Sequence, residues 1–562
     1  MWDKSKNEPI AKGVFLDPNK IGLQNLNFAK IKNYDKREDA IIYEVHVRDF
    51  TSDKNLKLKA PYGTFKAFIE KLDYIKSLGV THIQLLPILS YYNIDESKRN
   101  LRSYDYLQKD TNYNWGYDPQ NYFSLTGMYS INPKNPEERI KEFKELVNEI
   151  HKRGMGVILD VVYNHTAKAS IFDDIEPNYY YFMDENGNTK TNFGGGRLGT
   201  THYMSRRILL DSIKYLMNEY KVDGFRFDMM GDHDAKTIEM AYNEAKKINK
   251  NVLMLGEGWR TYEGDTNIKV QPADQTWMKD TNSVAVFSDD IRNKLKSGFP
   301  NEGTPAFLTG KKSNIQELFN NIKAQPTNFV ADEPGDVIQY AEAHDNLTLF
   351  DVIVKSTKLD PSIAKDYKEI IKRVKLGNFI ILTSQGTPFL HAGQEFGRTK
   401  QIMVDVPKDK VPEKATFVEG IKYPYIIHDS YNAPDAINKF DWERMKNSEI
   451  VPYTRGLIQL RRNIESFRLK SKEEIDKKLK LLTENKEDLL LAYEINDGKA
   501  HYLVIVNADS KDRLVYYSNV DKAKVLVDAN KVDINGIKNV EGLKINKNSI
   551  LIKPLTATIL KF

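Results

Sequence analysis

The length, composition and charge of the chain indicate a globular protein of two or three domains. Its 562 residues include 40% hydrophobic and 29% charged side chains, with a net charge of +5, interleaved acidic and basic residues, and no cysteine. These features exclude a nucleic-acid-binding surface, disulfides, thiolate metal sites and a cysteine nucleophile. No apolar run approaches the ~20 residues of a membrane span, and we expect a monomer.

Residues 1–40 show no clear hydrophobic periodicity. The first residues also lack the apolar core of a signal peptide. We therefore interpret residues 1–40 as a linker or as the remnant of a missing N-terminal module.

Short apolar runs alternate with amphipathic helical patterns between residues 41 and 468. The predicted strands cover 41–47, 81–88, 156–162, 223–227, 252–255, 284–287, 337–341 and 388–390. The predicted helices cover 64–78, 136–152, 205–220, 235–248 and 453–467. This alternation is typical of parallel strands with crossover helices, and eight strands favour a closed (β/α)8 TIM barrel over an open sheet. The connections 89–135 and 164–202 are unusually long, which is typical of functional loops.

The hydrophobic pattern changes after residue 468. Four short apolar runs at 489–494, 502–506, 524–527 and 549–552 are separated by turn signals such as Asn496-Asp497-Gly498. We predict that residues 469–562 form a separate antiparallel β-sandwich.

Polar residues stand where the predicted barrel strands end. The set comprises Asp160, Asn164, His165, Arg226, Asp228, Glu257, His344 and Asp345. Because the catalytic groups of a barrel enzyme lie at the C-terminal ends of its strands, we expect these side chains to share one face. A carboxylate in such an apolar setting is costly to desolvate unless it is paired, which favours a chemical role.

Two of these carboxylates are the natural pair for glycosidic chemistry. Arg226 and Asp228 lie two residues apart in a strand and so face the same side, and an adjacent arginine favours the ionised form that a nucleophile needs. Glu257 lies between two glycines and precedes Trp259, where burial would raise its pKa toward the value of a general acid. A structural ion pair and a tight turn are the alternative interpretations.

The two histidine motifs are ambiguous when each is taken alone. His344 and Asp345 are compatible with a metal site or a catalytic triad, but further ligands at tight spacing and a Gly-x-Ser-x-Gly motif are both missing. His165 alone is more typical of a hydrogen-bonded structural residue. Together, however, the strand ends supply the acid and the carboxylate that a glycosidase requires, with a third carboxylate available.

Four segments of the chain resemble the signature regions of the α-amylase superfamily of glycoside hydrolases. They are residues 160–165, 224–228, 256–259 and 344–346, in the matching order. Residues 113–119, Tyr-Asn-Trp-Gly-Tyr-Asp-Pro, resemble the signature of type I pullulanases, and residues 288–292 and 430–435 are similar to pullulanases too. The wider sequence is closest to surface pullulanases of Gram-positive bacteria.

This resemblance implies a role for each site residue. Asp228 would be the nucleophile, Glu257 the general acid/base and Asp345 the stabiliser of the transition state. Retention of configuration then predicts a separation of about 5–5.5 Å between the carboxyl groups of Asp228 and Glu257. The substrate contacts implied are Tyr117, His165, Arg226, Trp259, His344 and Asp435, with Arg226 holding Asp228 ionised and Tyr117 stacking under the sugar. Arg260 departs from the pattern, since an aspartate or small polar residue is more usual there.

The resemblance also implies a function and a location. We expect retaining hydrolysis of α-1,6 branch linkages in pullulan, amylopectin and related α-glucans. The alternatives are an α-1,4-acting amylase or neopullulanase, an isoamylase-type debranching enzyme, or a non-catalytic glucan-binding protein. No cofactor is expected for the chemistry, and a structural calcium ion is compatible with the superfamily although no calcium-binding loop motif marks its place. An extracellular or cell-surface location is implied, with a cytoplasmic one left open.

Overall fold

A closed barrel of eight parallel strands forms the centre of the molecule, as expected from the sequence. The structure, a computed structural model, describes residues 2–3, 8–9, 13–266 and 268–562. The barrel strands are β1 (Ile42–Val45), β2 (His82–Leu85), β3 (Gly156–Val161), β4 (Gly224–Phe227), β5 (Leu253–Gly256), β6 (Ala285–Phe287), β7 (Val337–Gln339) and β8 (Thr387–His391). The barrel closes where β8 pairs with β1, with Phe389 opposite Ile42. The predicted (β/α)8 architecture is therefore confirmed.

Helices cover the outside of the barrel and its loops. They are Phe65–Ile69, Leu72–Leu78, Pro136–Lys152, Ser170–Asp173, Tyr203–Tyr220, Ala235–Ile248, Asp289–Lys296, Ile315–Ile322, Leu349–Thr357, Ala364–Thr383, Asp435–Asn438, Trp442–Lys446 and Ile450–Asn463. Asn135 and Asp234 cap two of them by accepting hydrogen bonds from backbone N–H groups of the first turn. No helix within the described ranges is long and apolar enough to cross a bilayer.

One predicted helix is divided in two. The pattern at residues 64–78 predicts a single helix, but Lys71 leaves helical geometry, with φ −114° and ψ 0°. The carboxylate of the preceding Glu70 accepts hydrogen bonds from the backbone N–H groups of Lys59 and Ala60. The break therefore coincides with a contact that fixes the loop entering the helix.

Part of the predicted N-terminal linker packs under the barrel. The backbone N–H of Ala29 donates to Asp223, just before β4, at 2.9 Å. Arg37 pairs with Asp336, just before β7, at 2.7 Å, and Asp39 pairs with Arg468. The segment between Ala29 and Asp39 therefore closes the face of the barrel opposite to the catalytic one.

The C-terminal region consists of two antiparallel sheets, as predicted. Its strands are β9 (Leu479–Leu481), β10 (Leu490–Asn496), β11 (His501–Asn507), β12 (Arg513–Tyr516), β13 (Lys524–Val527), β14 (Leu543–Asn546), β15 (Ser549–Ile552) and β16 (Thr556–Lys561), preceded by the helix Lys472–Lys478. One sheet has the order β9-β10-β11-β16-β13 and the other β12-β15-β14. Side chains from both sheets, including Ile505 and Ile550, share one hydrophobic cluster. The sequence missed β9, β12, β14 and β16.

Short strand pairs tie loops together. Thr191–Asn192 pairs with Gly195–Gly196, Ala415–Phe417 pairs with Tyr425–Ile427, and Trp2–Asp3 pairs with Glu8–Pro9. A fourth pair joins the two domains, because Ser313–Asn314 of the barrel domain is hydrogen-bonded to Glu487–Asp488 of the C-terminal domain. The rings of Phe319 and Tyr493 also meet across this boundary, with centroids 5.6 Å apart.

Candidate active site

The predicted site residues gather at the C-terminal end of the barrel strands. Parallel pairing places Asp160 of β3 beside Arg226 of β4, and Glu257 follows directly after β5. The backbone N–H of Asp228 donates to Val161, which holds the residue at the end of its strand. The alternation of strand and helix thus delivers the side chains to one face, as a TIM barrel requires.

Arg226 is the centre of the site. Its guanidinium is 2% exposed and lies 2.9 Å from Asp160, 3.0 Å from Asp228 and 3.0 Å from Glu257. The sequence predicted the contact with Asp228 but not the contacts with Asp160 and Glu257. One buried positive charge is therefore shared by three carboxyl groups.

This sharing changes the expected ionisation of Asp228. Burial raises the pKa of Asp228 well above its usual range, Arg226 opposes the rise, and Glu257 reinforces it. Burial also raises the pKa of Asp160, to about 6, against the opposing effect of Arg226. Arg226 therefore favours the ionised form of Asp228, as expected, but in the ligand-free site burial and the neighbouring acids oppose it, because the arginine is divided among several carboxyl groups. The role of Arg226 in holding Asp228 ionised stays a prediction.

The loop after β4 positions the carboxyl group of Glu257. The backbone N–H of Met229 donates to Glu257 Oε2 at 3.0 Å, and Met229 adopts the left-handed conformation, with φ 40°. Arg226 contacts the other oxygen of Glu257, and the side chain of Glu257 is 12% exposed. The carboxyl groups of Asp228 and Glu257 thus share one guanidinium, and their separation of about 5–5.5 Å stays a prediction.

A carboxylate–histidine pair holds the segment after β7. Glu44 of β1 accepts hydrogen bonds from the backbone N–H of His344 and from its ring Nδ1, both at 2.8 Å. His344 Nε2 lies 3.6 Å from Asp345, whose side chain is 46% exposed. Burial lowers the pKa of His344, but Asp345 and Glu44 outweigh burial and raise the pKa to about 9. His344 is therefore a buried cation with its backbone fixed and Asp345 open to solvent.

Sequence reasoning missed Glu44. It lies in the middle of β1, and its side chain is 1% exposed. The available signal was a single carboxylate in an otherwise apolar strand, since such a group needs a partner when buried.

The aromatic loop at 113–119 forms one wall of the site. Tyr117 donates to Asp160 at 2.6 Å and stacks on the ring of His344, with centroids 5.2 Å apart and an interplanar angle of 12°. Trp115 meets the same histidine edge-on at 4.8 Å. Gly116 has φ +101° and lies against Pro87, so a side chain there would be strained.

His165 and Asn164 present unused hydrogen-bonding capacity. Both side chains are 1% exposed, and their polar side-chain atoms lack a hydrogen-bond partner among the residues that the structure describes. Burial lowers the pKa of His165 to about 4, so its imidazole is neutral at physiological pH. Buried polar groups usually have a partner, and a ligand with hydroxyl groups would supply one.

Trp259, Arg260 and Asp435, which the sequence also singled out, lie outside the cluster of charged groups around Arg226. Trp259 is half-buried and packs against the cluster that fills the barrel interior. Arg260 points to the surface and donates to the carbonyl of Asn328 at 2.6 Å. Asp435 is 1% exposed. Its carboxylate accepts hydrogen bonds from the guanidinium of Arg48, at 2.9 and 3.0 Å, and from the backbone N–H of Ser103. Its geometry is that of a structural ion pair rather than of a substrate contact.

The site offers acid–base and nucleophilic chemistry through carboxyl groups. Among the described residues, no group of three or more histidine, aspartate and glutamate side chains is arranged to hold a metal ion, and the possible calcium ion stays unplaced. Two neighbouring carboxyl groups at the mouth of a barrel, with a third exposed beside them, are the constellation of glycoside hydrolysis.

Two protein families match parts of the chain. The alpha amylase catalytic domain matches residues 41–189, and the SpuA C-terminal domain matches residues 478–562. Pullulanase A of Streptococcus pneumoniae serotype 2 is 56% identical over 582 residues, which cover 98% of this chain and 46% of that protein. The chain thus spans about half the length of this curated relative.

Solved structures show the same similarity in three dimensions. The catalytic module of the multi-modular glycogen-degrading pneumococcal virulence factor SpuA has a TM-score of 0.97 at 56% identity, covering 98% of this chain and 82% of that chain. Group B Streptococcus pullulanase SAP, in complex with maltotetraose, has a TM-score of 0.95 at 58% identity, covering 98% and 74%.

Proposed function

Since this chain belongs to the pullulanases of the α-amylase superfamily, we propose that it hydrolyses α-1,6 branch linkages in pullulan, amylopectin and glycogen fragments with retention of configuration. The observation that carries the proposal is the guanidinium of Arg226 held between Asp228 and Glu257. It brings a nucleophile and a proton donor to one place. The glycogen-degrading activity of SpuA and the maltotetraose complex of SAP support an α-glucan as the substrate.

The mechanism assigns one step to each carboxyl group. Glu257 gives its proton to the glycosidic oxygen while the carboxylate of Asp228 attacks the anomeric carbon. The bond to the leaving sugar breaks, and a covalent glycosyl-enzyme forms. A water molecule then attacks the same carbon, gives its proton to Glu257 and releases Asp228.

The first step needs Asp228 ionised and a proton on Glu257. In the ligand-free site burial raises the pKa of Asp228, against the opposing effect of Arg226. The mechanism therefore requires that Asp228 has lost its proton before it attacks. Asp228 then attacks as the ionised partner of Arg226.

The remaining residues bind the sugar at the cleavage point. Asp345 is exposed beside His344, and we assign it the hydroxyl contacts that tighten as positive charge develops on the sugar. Tyr117 offers a ring face, and His165 and His344 offer hydrogen bonds. Trp259 contributes a half-buried apolar surface next to Glu257.

The test is digestion of pullulan followed by sizing of the products. Maltotriose supports α-1,6 hydrolysis, whereas panose or isopanose indicates α-1,4 cleavage and contradicts the proposal. Asp228→Asn and Glu257→Gln are the matched isosteric controls, and both must lose activity. A purely glucan-binding protein would release no product while still binding maltotetraose.

We also propose a monomer that acts on glucan outside the cell or at its surface. The similarity to a multi-modular virulence factor supports this location. Light scattering of the purified chain tests the monomer, and fractionation of the source cells tests the location.

A further inference from the structure

A buried lysine anchors the segment that carries Asp345. Lys400, in the loop after β8, is 1% exposed. Its ammonium group donates to the carbonyl of His344 and to the carbonyl of Asn346, each at 2.7 Å. These carbonyl groups belong to the residues before and after Asp345, so one ammonium group holds the peptide group that precedes Asp345 and the one that follows Asn346.

The position of Lys400 is itself fixed from the helix that follows Asp345. Asp351, in the first turn of the helix Leu349–Thr357, accepts a hydrogen bond from the backbone N–H of Lys400 at 2.7 Å and another from the hydroxyl of Thr399. Asp351 is fully buried. The loop after β8 is therefore bonded to the segment around Asp345 at both ends of that segment. The ammonium group of Lys400 holds the residues beside Asp345, and Asp351 holds the backbone of Lys400.

Burying the ammonium group of Lys400 costs free energy, which points to a role beyond stability. Lys400 makes no ion pair within 4 Å with a carboxylate in the part of the chain that the structure describes, although it lies 5.5 Å from the ring centroid of Trp115. Burial lowers its pKa to about 8, which reflects the cost of a charge without a direct counter-ion. Neutral side chains would bridge two carbonyl groups more cheaply.

Asp345 depends on its backbone for its direction. Its side chain is 46% exposed and approaches His344 at 3.6 Å. Asn346, the next residue, adopts the left-handed conformation, with φ 60°. The carboxylate is thus aimed by the peptide groups around it.

We infer that Lys400 is a positioning residue for Asp345, because it holds the carbonyl groups of the residues before and after the one whose carboxylate contacts the sugar. This inference rests on the proposed function, because the role of Asp345 belongs to it. Lys400 does not touch substrate and takes no part in proton transfer.

The first test compares Lys400→Met with a matched control, Lys144→Met. Lys144 is also a buried lysine that donates to two carbonyl groups, those of Pro18 and Ile21, at 2.8 and 3.0 Å, but it lies on a helix outside the barrel. It differs from Lys400 in having a direct ion pair, with Glu219, so its replacement measures the loss of a buried ammonium group far from Asp345. We expect Lys400→Met to lower kcat by about 10–100-fold with KM within about twofold, since a misplacement of about 1 Å costs rate rather than binding. Lys144→Met should lose stability and keep kcat.

The second test is a double-mutant cycle with Asp345→Asn. If Lys400 acts through Asp345, Lys400→Met costs less than about twofold in kcat once Asp345 is gone. The same loss in both backgrounds would overturn the inference, as would a folded Lys400→Met enzyme with wild-type kcat. Lys400→Arg keeps the charge and serves if the methionine variant does not fold. It should show the same dependence on Asp345, because a guanidinium does not fit the ammonium position.

The cycle uses a glucan that the wild-type enzyme cleaves. If pullulan yields panose instead of maltotriose, the α-1,6 proposal fails, but the coupling between Lys400 and Asp345 is still measured. If the cycle shows no coupling while maltotriose is released, the positioning inference fails alone.

Discussion

Substituting Glu44 with glutamine would remove the buried charge that holds His344 protonated. The substitution keeps the size of the side chain, and an amide oxygen at the Oε1 position still accepts from Gln84 and from the ring Nδ1 of His344. The amide nitrogen then faces the backbone N–H of His344, which loses its acceptor, and the negative charge is removed. His344 then keeps Asp345 as its acidic neighbour and remains buried beside Arg226.

The size of the effect follows from the pKa of His344. Asp345 and Glu44, acting against burial, raise this pKa from 6.5 to about 9. At about 1.36 kcal/mol per pH unit, the protonated histidine contributes about 3 kcal/mol to folding. A raised pKa means that this contribution is complete below pH 6.5 and disappears as the pH rises through 9. Glu44 supplies part of it, and its own lowered pKa keeps it ionised across that window.

The assay is the free energy of unfolding in urea, measured from pH 6 to pH 10 for both proteins. We expect Glu44→Gln to be less stable by about 1–3 kcal/mol near pH 6 and the difference to shrink above pH 9. Groups that do not contact Glu44 cancel in the difference. A difference that stays constant across this range would refute the assignment of the raised pKa to the Glu44–His344 pair.

Three further predictions concern the site and its surroundings. Glu257→Gln should lower kcat on pullulan by about 10²–10⁴-fold, the usual contribution of a general acid, and isothermal titration should show that maltotetraose still binds. Tyr117→Phe keeps the ring on His344 but removes the hydrogen bond to Asp160. We expect the free energy of unfolding in urea to fall by about 1.5–3 kcal/mol, with KM little changed. Tyr117→Ala also removes the ring and should raise KM. Asp435→Asn breaks the buried pair with Arg48 and should lower the free energy of unfolding by about 3–5 kcal/mol. Its KM for pullulan should stay within about twofold of the wild-type value, and a large rise in KM would restore the substrate contact expected from the sequence.

The barrel was predictable because its signal is repetitive. Each strand is a short apolar run before a polar residue, and the runs are separated by helical periodicity, so all eight strands were located. The C-terminal domain was harder, because most side chains of Arg513–Tyr516 and Leu543–Asn546 are exposed or only partly buried and both strands contain a charged residue. Local hydrophobicity does not distinguish such strands from loops.

The site was predictable at strand ends and not elsewhere. Asp228, Glu257 and Asp345 stand where parallel strands must converge, so topology alone brings them together. Glu44 and Lys400 also contact the segment around His344 and Asp345, but neither stands at the end of a strand that leads into the site. Glu44 lies inside β1, 300 residues from its partner His344, and Lys400 lies in the loop after β8, 56 residues from the same partner. A single sequence carries no record of such pairings. Asp435 shows the converse, because a residue inside a motif can be occupied by a structural partner that the sequence does not reveal.

The ladder between Ser313–Asn314 and Glu487–Asp488 has a consequence for dissecting the protein. The backbone N–H of Ile315 also donates to the carbonyl of Lys486, at 3.0 Å. Excising the C-terminal sheets would leave a barrel with an unpaired strand edge and an uncovered Phe319, which invites aggregation. We therefore expect one melting transition for the intact chain, and a chain shortened to end near residue 468 would be a damaged barrel rather than a minimal enzyme.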